Sequence, residues 1–454
     1  MKFRKFLILA GKKFSAAMQA FISWVLSDGG TVEAKAYTDA LLQTATNASI
    51  LQIPSAYKAG TLYNQIPISP DNDDFTVARA SDVWRTNEAG VLEVIGSNVP
   101  CIDYSDGFPV LLTQPLSTNL LTYSDDFSDA VWNYFDASAT VNQSISPDGT
   151  QNADKFIEGT GASIHRCIQA SISIVDTENY TFSVFAKAAE RDFITLTNNT
   201  GTGDLTTTFD LTNGLITVGT GKIEDFGNGW FRCSRSFVAT ATVVSNFIAQ
   251  LYCNNGSGIS YQGDGISGVY IWGAQLENLS YPTSYIPTTV ASATRLEDVI
   301  TGAGSTASIN SEEGVLFLEM AALADDVGRF RRLSLSDGTE DNAVFIGFTG
   351  TSGVAEARVI VGTATQCFLS TSGLTLSDFY SIAVKWKVND FELYINGVSV
   401  SADVSGITFT SNTLTSLQFD AGAGVVSTRM YNKTKQLRVY SSIAEAQIDL
   451  PYIT

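Results

Sequence analysis

Short apolar runs with two-residue alternation, separated by tight turns, constrain the fold of this chain more than any other feature. The run Tyr180–Ala186 (YTFSVFA) alternates cleanly, and Asn213-Gly214 marks a hairpin turn. Successive side chains of a strand point to opposite faces, so the alternation predicts half-buried strands. Their recurrence about every 8–12 residues between positions 123 and 289 predicts a β-sandwich.

The composition suits large folded cores. Of 454 residues, 44% are hydrophobic and only 16% are charged, which argues against disorder. A chain of this length is expected to form two or three domains. The formal net charge of −19 disfavours nucleic acid and anionic lipid as partners.

The first fifty residues carry a different pattern. Apolar residues recur there at alternating steps of four and three, which is the spacing of a heptad seam. The segment is basic, since the first acid is Asp28. It is predicted to be an amphipathic docking or oligomerising helix, with the candidate residues Phe3, Leu7, Lys12, Lys13, Phe14, Met18, Phe21 and Trp24.

This segment has three alternative interpretations. A signal peptide needs an uninterrupted apolar region, which Gly11-Lys12-Lys13 breaks. A membrane span needs a longer apolar stretch than Phe14–Leu26, so no membrane span is expected. Packing of the helix on its own β domain is the remaining alternative.

Four motifs then follow one another along the chain. They are PSAYKAGTLY from Pro54, FTVARASDVWRTNEAG from Phe75, STNLLTYSDDFSDAVW from Ser117 and YIWGAQLENLSYPTSYIPT from Tyr270. This order resembles that of bacteriophage virion fibre or head-spike proteins, whose jelly roll is similar to carbohydrate-binding modules. The resemblance implies an N-terminal anchor, an extended β arm and a jelly roll. It also implies that Trp132, Trp230 and Trp272 are mainly structural, as their alternating runs suggest.

The C-terminal segment alternates as well, for example in Gly314–Met320 and Ser381–Val388. The order FYSIAVKWKVNDFELYINGVSV, then QLRVY and a short helix from Ile443, resembles concanavalin A-like, laminin-G-type domains. Such domains commonly bind glycans or proteins, some of them through calcium. Trp386 and Tyr394 lie on predicted strands and are expected to be packing residues.

We therefore predict a mostly β protein with two β-sandwich (jelly-roll) domains, preceded by a helical anchor and an extended β arm. The predicted segments are 1–50 (anchor), 51–116 (arm), 117–290 (jelly roll), 291–311 (linker) and 312–454 (concanavalin A/laminin-G-like sandwich).

No cofactor is expected, although a structural calcium ion is compatible with three acidic groups. The first consists of Asp125, Asp126 and Glu277, near the two ends of the jelly roll. The second is Asp71, Asp73 and Asp74, and the third is the loop Asp337–Asp341. The second lacks the full spacing of a calcium loop, and a solvated turn is favoured for both of the last two.

The sequence gives little support for an enzyme. His165 is the one histidine, so a His metal cluster is excluded and a His-based triad would depend on this residue. A glycosidase that uses two carboxylates remains an alternative, because the chain has 46 acidic residues. Five widely spaced cysteines predict free, mostly buried thiols, with one Cys233–Cys253 disulfide as the alternative.

The resemblance and the residues together predict a virion structural protein, assembled in the host cytoplasm and displayed on the virion surface. We expect a head or tail fibre, a homotrimer that docks on other virion proteins through its N-terminus and attaches to cell-surface or mucus glycans. Tyr252 and Tyr261 are candidates for sugar contacts, besides the tryptophans. A purely structural decoration protein and a polysaccharide-depolymerising tailspike are the alternatives.

Overall fold

The computed structural model describes residues 47–54, 57–58, 61–62, 74–199, 206–325, 327–422, 424 and 426–454. Residues 1–46 of the predicted helical anchor lie outside this range. The described chain divides into two compact units. The terminal unit combines the described residues up to Ala78 with 109–113 and 299–454, and the central unit comprises 79–108 and 114–298.

The described chain is mostly β, as predicted. The strands up to residue 119 are β1 (Ile50–Gln52), β2 (Tyr57–Lys58), β3 (Thr61–Leu62), β4 (Thr76–Ala78), β5 (Val83–Thr86), β6 (Leu92–Ile95), β7 (Ile102–Asp103), β8 (Val110–Leu112) and β9 (Ser117–Asn119). They are followed by β10 (Trp132–Phe135), β11 (Ala137–Ser144), β12 (Ala153–Glu158), β13 (Ala162–Ile164), β14 (Arg166–Ile174), β15 (Asn179–Ala188), β16 (Phe193–Asn199), β17 (Thr206–Asp210), β18 (Leu215–Val218) and β19 (Lys222–Asp225).

The remaining strands run to the end of the second predicted sandwich. They are β20 (Trp230–Val238), β21 (Val243–Asn254), β22 (Ser260–Gln262), β23 (Gly268–Glu277), β24 (Ala293–Arg295), β25 (Val299–Thr301), β26 (Gly314–Ala322), β27 (Arg331–Ser336), β28 (Ala343–Phe348), β29 (Ala355–Val361), β30 (Ala364–Thr371), β31 (Tyr380–Trp386), β32 (Phe391–Ile395), β33 (Val398–Asp403), β34 (Ser416–Gln418) and β35 (Asn432–Tyr440). The described residues also include the helix α1 (Ile443–Asp449) and a 3-10 turn at Val426–Thr428.

The central unit is built on two six-stranded antiparallel sheets. The front sheet has the order β10-β14-β21-β16-β17-β18, and the back sheet has the order β11-β12-β23-β15-β20-β19. Apolar side chains from both sheets, among them Phe156, Phe182, Phe209 and Phe247, form one buried cluster. This arrangement confirms the predicted β-sandwich, because each sheet buries one face against the other.

A hairpin forms a third layer over the outer face of the back sheet. Strands β5 and β6 pair with each other, and Trp84 of β5 lies edge-on to Trp272 and Tyr285, with ring centroids 6.1 and 5.6 Å away. Leu92 of β6 joins the same buried cluster as Trp230. Trp230 and Trp272 are therefore buried packing residues, as predicted, and Trp132 is buried in the core between the sheets.

A buried ion pair holds the hairpin segment to the end of the central unit. Arg79 Nη1 lies 2.7 Å from Asp298 Oδ1, and the two side chains are 0% and 2% exposed. Arg79 Nη2 also donates to the carbonyl oxygens of Gly96 and Val99. Asp298 Oδ2 accepts the backbone N–H of Gln114. These additional hydrogen bonds offset the cost of removing both charges from water.

The terminal unit also contains two sheets that pack together. One has the order β33-β32-β31-β26-β35, with β1 and β8 along the free edge of β35, and the other has the order β30-β29-β28-β27-β34. Contacts of β28 with β31, and of β30 with β32 and β33, bring the sheets face to face. Helix α1 packs Ala446 against Phe317 and Tyr440, and Trp386 and Tyr394 are buried, as predicted.

The described parts of the predicted arm and linker are built into these two units. Within the arm (51–116), β4 and β8 belong to the terminal unit and β5, β6 and β7 to the central unit. Within the linker (291–311), β24 pairs with β9 and β25 pairs with β4. Partner strands thus supply the backbone hydrogen bonds that a solvated linker would make to water.

Replacing Asp298 by Asn should destabilise the central unit strongly. The change leaves Arg79 buried without a counter-charge, so the free energy of unfolding should fall by about 3–5 kcal/mol. Urea unfolding followed by tryptophan fluorescence measures this, because Trp84, Trp132, Trp230 and Trp272 lie in the central unit.

The matched control is Glu190→Gln, which removes the ion pair between Lys155 and Glu190. The Glu190 side chain is 49% exposed, so this loss should stay below about 1 kcal/mol. Equal losses in the two variants would contradict a special role for the buried pair.

Candidate functional site

The outward side of the front sheet carries a set of polar side chains. We call this surface the polar face. It comprises the polar residues Arg166, Thr195, Thr208, Gln250, Tyr252 and Asn254, with Phe135 at its edge. Strand register aligns five of them across the sheet, in the order Phe135, Arg166, Tyr252, Thr195 and Thr208. Directly opposed residues on neighbouring strands point to the same side, so these side chains share one surface.

Alternation in the sequence places these residues on the outside. On β21, Phe247, Leu251 and Cys253 enter the core, which leaves Gln250 and Tyr252 on the outer side. On β16, Ile194 and Leu196 enter the core and leave Thr195 outside. The alternation that places apolar residues of these strands in the core therefore also places the polar residues on the outer side.

Hydrogen bonds hold the polar face in one arrangement. Tyr252 Oη donates to Gln250 Oε1 over 2.8 Å, and Arg166 Nη1 donates to the same oxygen over 3.3 Å. Asn254 Nδ2 donates to Thr195 Oγ1 over 3.0 Å. Within the described residues, Gln250 Nε2 has no acceptor, which leaves it as a donor for a ligand.

The polar groups of the polar face are buried, whereas the aromatic ring at its edge is exposed. Gln250, Tyr252 and Asn254 are 3%, 7% and 5% exposed, whereas Phe135 at the edge strand is 49% exposed. The guanidinium of Arg166 lies 5.6 Å from the centre of the Phe135 ring. A few fixed polar groups beside an exposed aromatic ring are typical of a small-molecule or sugar site.

Tyr261, the other tyrosine proposed for sugar contact, lies in a second polar cluster beside the β13–β22 hairpin. Its hydroxyl donates to Glu158 Oε2 over 2.6 Å, and Arg191 Nε donates to the same carboxylate over 2.7 Å. Burial raises the pKa of Glu158, but hydrogen bonds from Arg191, Tyr261 and Asp264 outweigh it and lower the pKa overall. Glu158 is thus a satisfied structural anion.

His165 is buried beneath this cluster and is 0% exposed. Its Nδ1 lies 2.7 Å from the carbonyl oxygen of Asp136, and its Nε2 lies 3.2 Å from that of Tyr261. The Tyr261 ring covers the imidazole, with the centroids 4.6 Å apart. The carboxylate oxygen Oδ2 of Asp136 also lies 3.4 Å from Nδ1, but Ser163 Oγ donates to that carboxylate. Within the described residues no serine hydroxyl donates to the imidazole, as the nucleophile of a Ser-His-Asp triad would.

The proposed calcium ligands make hydrogen bonds within the protein. Glu277 accepts from Ser117 Oγ over 2.6 Å and from the backbone N–H of Thr283 over 2.9 Å. Asp126 accepts from the backbone N–H of Ser128. Asp337 accepts from the N–H of Thr339 two residues on, which is the geometry of a turn.

Asp71 and Asp73 lie outside the described residues. Across the part of the chain that the structure describes, no three His, Cys, Asp or Glu side chains form a group that could hold a metal ion.

A buried carboxyl that the sequence did not indicate lies beside Asp125 and Asp126. Asp154 accepts the backbone N–H groups of Phe127 and Asn142, each over 3.0 Å. Burial raises the pKa of Asp154 to about 6; hydrogen bonds from Asn142 and Phe127 oppose the rise, and the charges of Asp126 and Asp125 add to it. The unpaired carboxyl therefore favours its protonated form more than an exposed aspartate does.

The second sheet of the terminal unit carries two arginines that pair with a carboxylate. The guanidinium of Arg332 lies 4.2 Å from the ring centre of Phe330, and that of Arg358 lies 4.5 Å from the ring centre of Phe368. Both arginines pair with the buried carboxylate of Glu356, over 2.6 and 3.0 Å. Each of these arginines has a carboxylate partner, which distinguishes this cluster from the polar face, where Arg166 has none within the described residues.

The predicted docking and oligomerisation residues lie outside the described residues: Phe3, Leu7, Lys12, Lys13, Phe14, Met18, Phe21 and Trp24. No helix in the described ranges is long and apolar enough to cross a membrane. All five cysteines are buried and free, as predicted. Burial raises the pKa of the Cys167 thiol to about 12, which makes it a poor nucleophile.

No protein-family model matches the chain, and a comparison with curated proteins finds no match. Among solved structures, domains LG4-5 of the mouse laminin alpha1 chain are similar to this chain at 11% sequence identity and a TM-score of 0.23. The match covers 62% of this chain and 88% of that chain. A likeness at this level assigns no function to the protein.

Asp154 should make the central unit less stable as the pH rises. Its folded-state pKa is about 6, against an ordinary 3.8, so its contribution to stability is complete below about pH 4 and is lost as the pH passes 6. The advantage of wild type over Asp154→Asn in urea unfolding should shrink by up to about 3 kcal/mol over this window.

Asp264→Asn is the control with the opposite sign. Hydrogen bonds from Ser267 and Ile266 lower the pKa of Asp264, so its contribution is present at neutral pH and is lost on acidification. If both variants changed stability in parallel with pH, the assignment to Asp154 would be wrong.

Proposed function

We propose that this protein is a virion structural protein, a head or tail fibre, whose polar face binds host-surface or mucus glycans. The observation that carries the binding half is the buried set of amide and hydroxyl groups beside the exposed ring of Phe135. Sugar hydroxyls both donate and accept hydrogen bonds, as amides and hydroxyls of proteins do. The apolar face of a sugar ring can lie on an aromatic side chain such as Phe135.

The position of the polar face supports its use in binding. The β5–β6 hairpin packs on the outer face of the back sheet, where Trp84 contacts Trp272 and Tyr285. On the outer side of the front sheet, the orientation of Gln250, Tyr252 and Thr195 is already fixed by hydrogen bonds. Ordered polar groups lose little conformational entropy when a ligand binds.

The virion half of the proposal rests on the sequence. The motifs that begin at Pro54, Phe75, Ser117 and Tyr270 occur in the order found in phage fibre and head-spike proteins. The basic, heptad-spaced residues before Asp28 suit docking on an acidic virion surface and assembly of a homotrimer. Three copies would raise a weak glycan affinity through multivalency.

Binding without turnover fits the polar face better than depolymerisation does. Asp210, which follows Thr208 on the outer side of β17, accepts the N–H groups of Thr212 and Asn213 in its own turn. A glycosidase needs two carboxyl groups on either side of the scissile bond. The other alternative is a decoration protein without a ligand. A measurement of glycan binding distinguishes it from the proposed function.

Replacing Phe135 by Ala should weaken glycan binding by the full chain at least fivefold, or about 1 kcal/mol, because the exposed aromatic ring is lost. Binding is measured on a glycan array and then by titration with the best ligand. Phe368→Ala is the matched control, since Phe368 is 52% exposed on the terminal unit, against 49% for Phe135. The control should bind like wild type.

No binding of wild type to any glycan would leave a structural decoration protein. Release of reducing sugars from host polysaccharide would instead point to a tailspike. Equal weakening by the two phenylalanine variants would place the sugar site elsewhere.

Deleting residues 1–46 should convert the trimer to a monomer in light scattering. The deletion ends at 46 because the backbone N–H of Asn47 donates to Asp449, and β1, which begins at Ile50, pairs with β35. The paired change Phe14→Ser and Phe21→Ser should have the same effect through the seam. The control is the double variant Lys12→Ser and Lys13→Ser, whose positions lie off the seam. It should remain trimeric. A deletion variant of unchanged mass would contradict the oligomerising role.

A further inference from the structure

We propose that the glycan bound by the polar face contains an acidic sugar, and that Arg166 recognises its carboxylate. This inference rests on the proposed function, because it specifies the ligand of the same surface. Its basis is Arg166, a half-buried cation on the polar face that has no carboxylate partner within the described residues.

Arg166 has far more hydrogen-bonding capacity than the protein uses. Nη1 donates to the neutral amide oxygen of Gln250 over a long 3.3 Å. Nε is shielded from water and has no partner, and Nη2 has no acceptor among the residues that the structure describes. The guanidinium also lies 5.6 Å from the Phe135 ring centre, which orients it without neutralising it.

Other arginines of this protein are paired with carboxylates. Arg191 lies 2.5 Å from Glu158, Arg332 lies 2.6 Å from Glu356, and Arg79 lies 2.7 Å from Asp298. Within the described ranges, no carboxylate lies within 4.0 Å of Arg166. In the part of the chain that the structure describes, Arg232 and Arg438 also lack a carboxylate partner, but they donate to oxygens of Thr283 and Gln436 over 2.6 and 2.7 Å, shorter than the 3.3 Å bond of Arg166.

A carboxylate is the ligand group that this arrangement fits. A guanidinium can donate two N–H bonds to the two oxygens of a carboxylate. Here they would come from Nη2, which has no acceptor within the described residues, and from Nη1, whose one bond to Gln250 is long, because Nε is shielded from water. Gln250 Nε2 would then donate to a neutral hydroxyl of the same sugar chain.

The test uses pairs of oligosaccharides that differ in one group. One member carries a uronic acid, and the other carries the parent hexose, with a hydroxymethyl group in place of the carboxylate. A third probe carries a sulfated hexose. We expect the full-length wild-type protein to prefer the uronic acid about tenfold over the hexose, with the preference reduced by added salt.

For variants of Arg166, we measure the ratio of the affinities for the uronic acid and the hexose as well as total binding. Arg166→Gln should bring the ratio of uronic acid to hexose affinity close to one. Arg166→Lys keeps the positive charge but loses the paired N–H donors of the guanidinium. Its ratio of uronic acid to hexose affinity should therefore fall between those of wild type and Arg166→Gln. Unchanged urea unfolding of the variants ensures that the ratio reports recognition.

The outcomes separate this inference from the function on which it rests. Equal affinity of wild type for uronic acid and hexose, with both weakened by Phe135→Ala, overturns the inference and leaves glycan binding intact. Preference for the sulfated probe over the uronic acid also overturns it. Failure to bind any probe or array glycan removes the proposed function and this inference together.

Discussion

Arg79 and Asp298 are the residues at which the chain enters and leaves the central unit, and their ion pair joins positions 219 residues apart. The pair is shielded from water, but carbonyl oxygens and a backbone N–H complete its hydrogen bonds. A buried pair of this kind contributes more to the choice of one arrangement than to net stability. Here it anchors the segment that carries the β5–β6 hairpin, which covers Trp272 on the outer face of the back sheet.

Features that depend on neighbouring residues were predictable from the sequence. The alternation of Tyr180–Ala186 gives β15, and Asn213-Gly214 gives the turn between β17 and β18. Gly214 is required there because its φ is +66° and a Cβ would lie 2.9 Å from the Phe231 ring. The burial of Trp132 and Trp230 followed from the same local reasoning.

Features that depend on strand pairing between distant segments were not predictable. The segment 51–116 has the turns and short runs of an extended arm, and nothing local shows that Trp84 contacts Trp272. The same limit applies to the site. Tyr252 lies on the polar face as a sugar-contacting residue would, whereas Tyr261 is held by Glu158, and both have equally plausible sequence surroundings. The role proposed for Arg166 depends on its cross-strand register with Phe135 and Tyr252, which the sequence does not show.

The division of the chain between the two units has a consequence for synthesis on the ribosome. The central unit is interrupted only by 109–113, whereas the terminal unit collects β1, β4 and β8 from the first quarter of the chain and the rest from beyond residue 298. Ser49 reaches its partner Val439 only 390 residues later. Domains fold largely in the order of translation, so the central unit is complete while those early strands still have open edges. The terminal unit must therefore be the last to fold, and an incomplete chain would expose its aggregation-prone strands first.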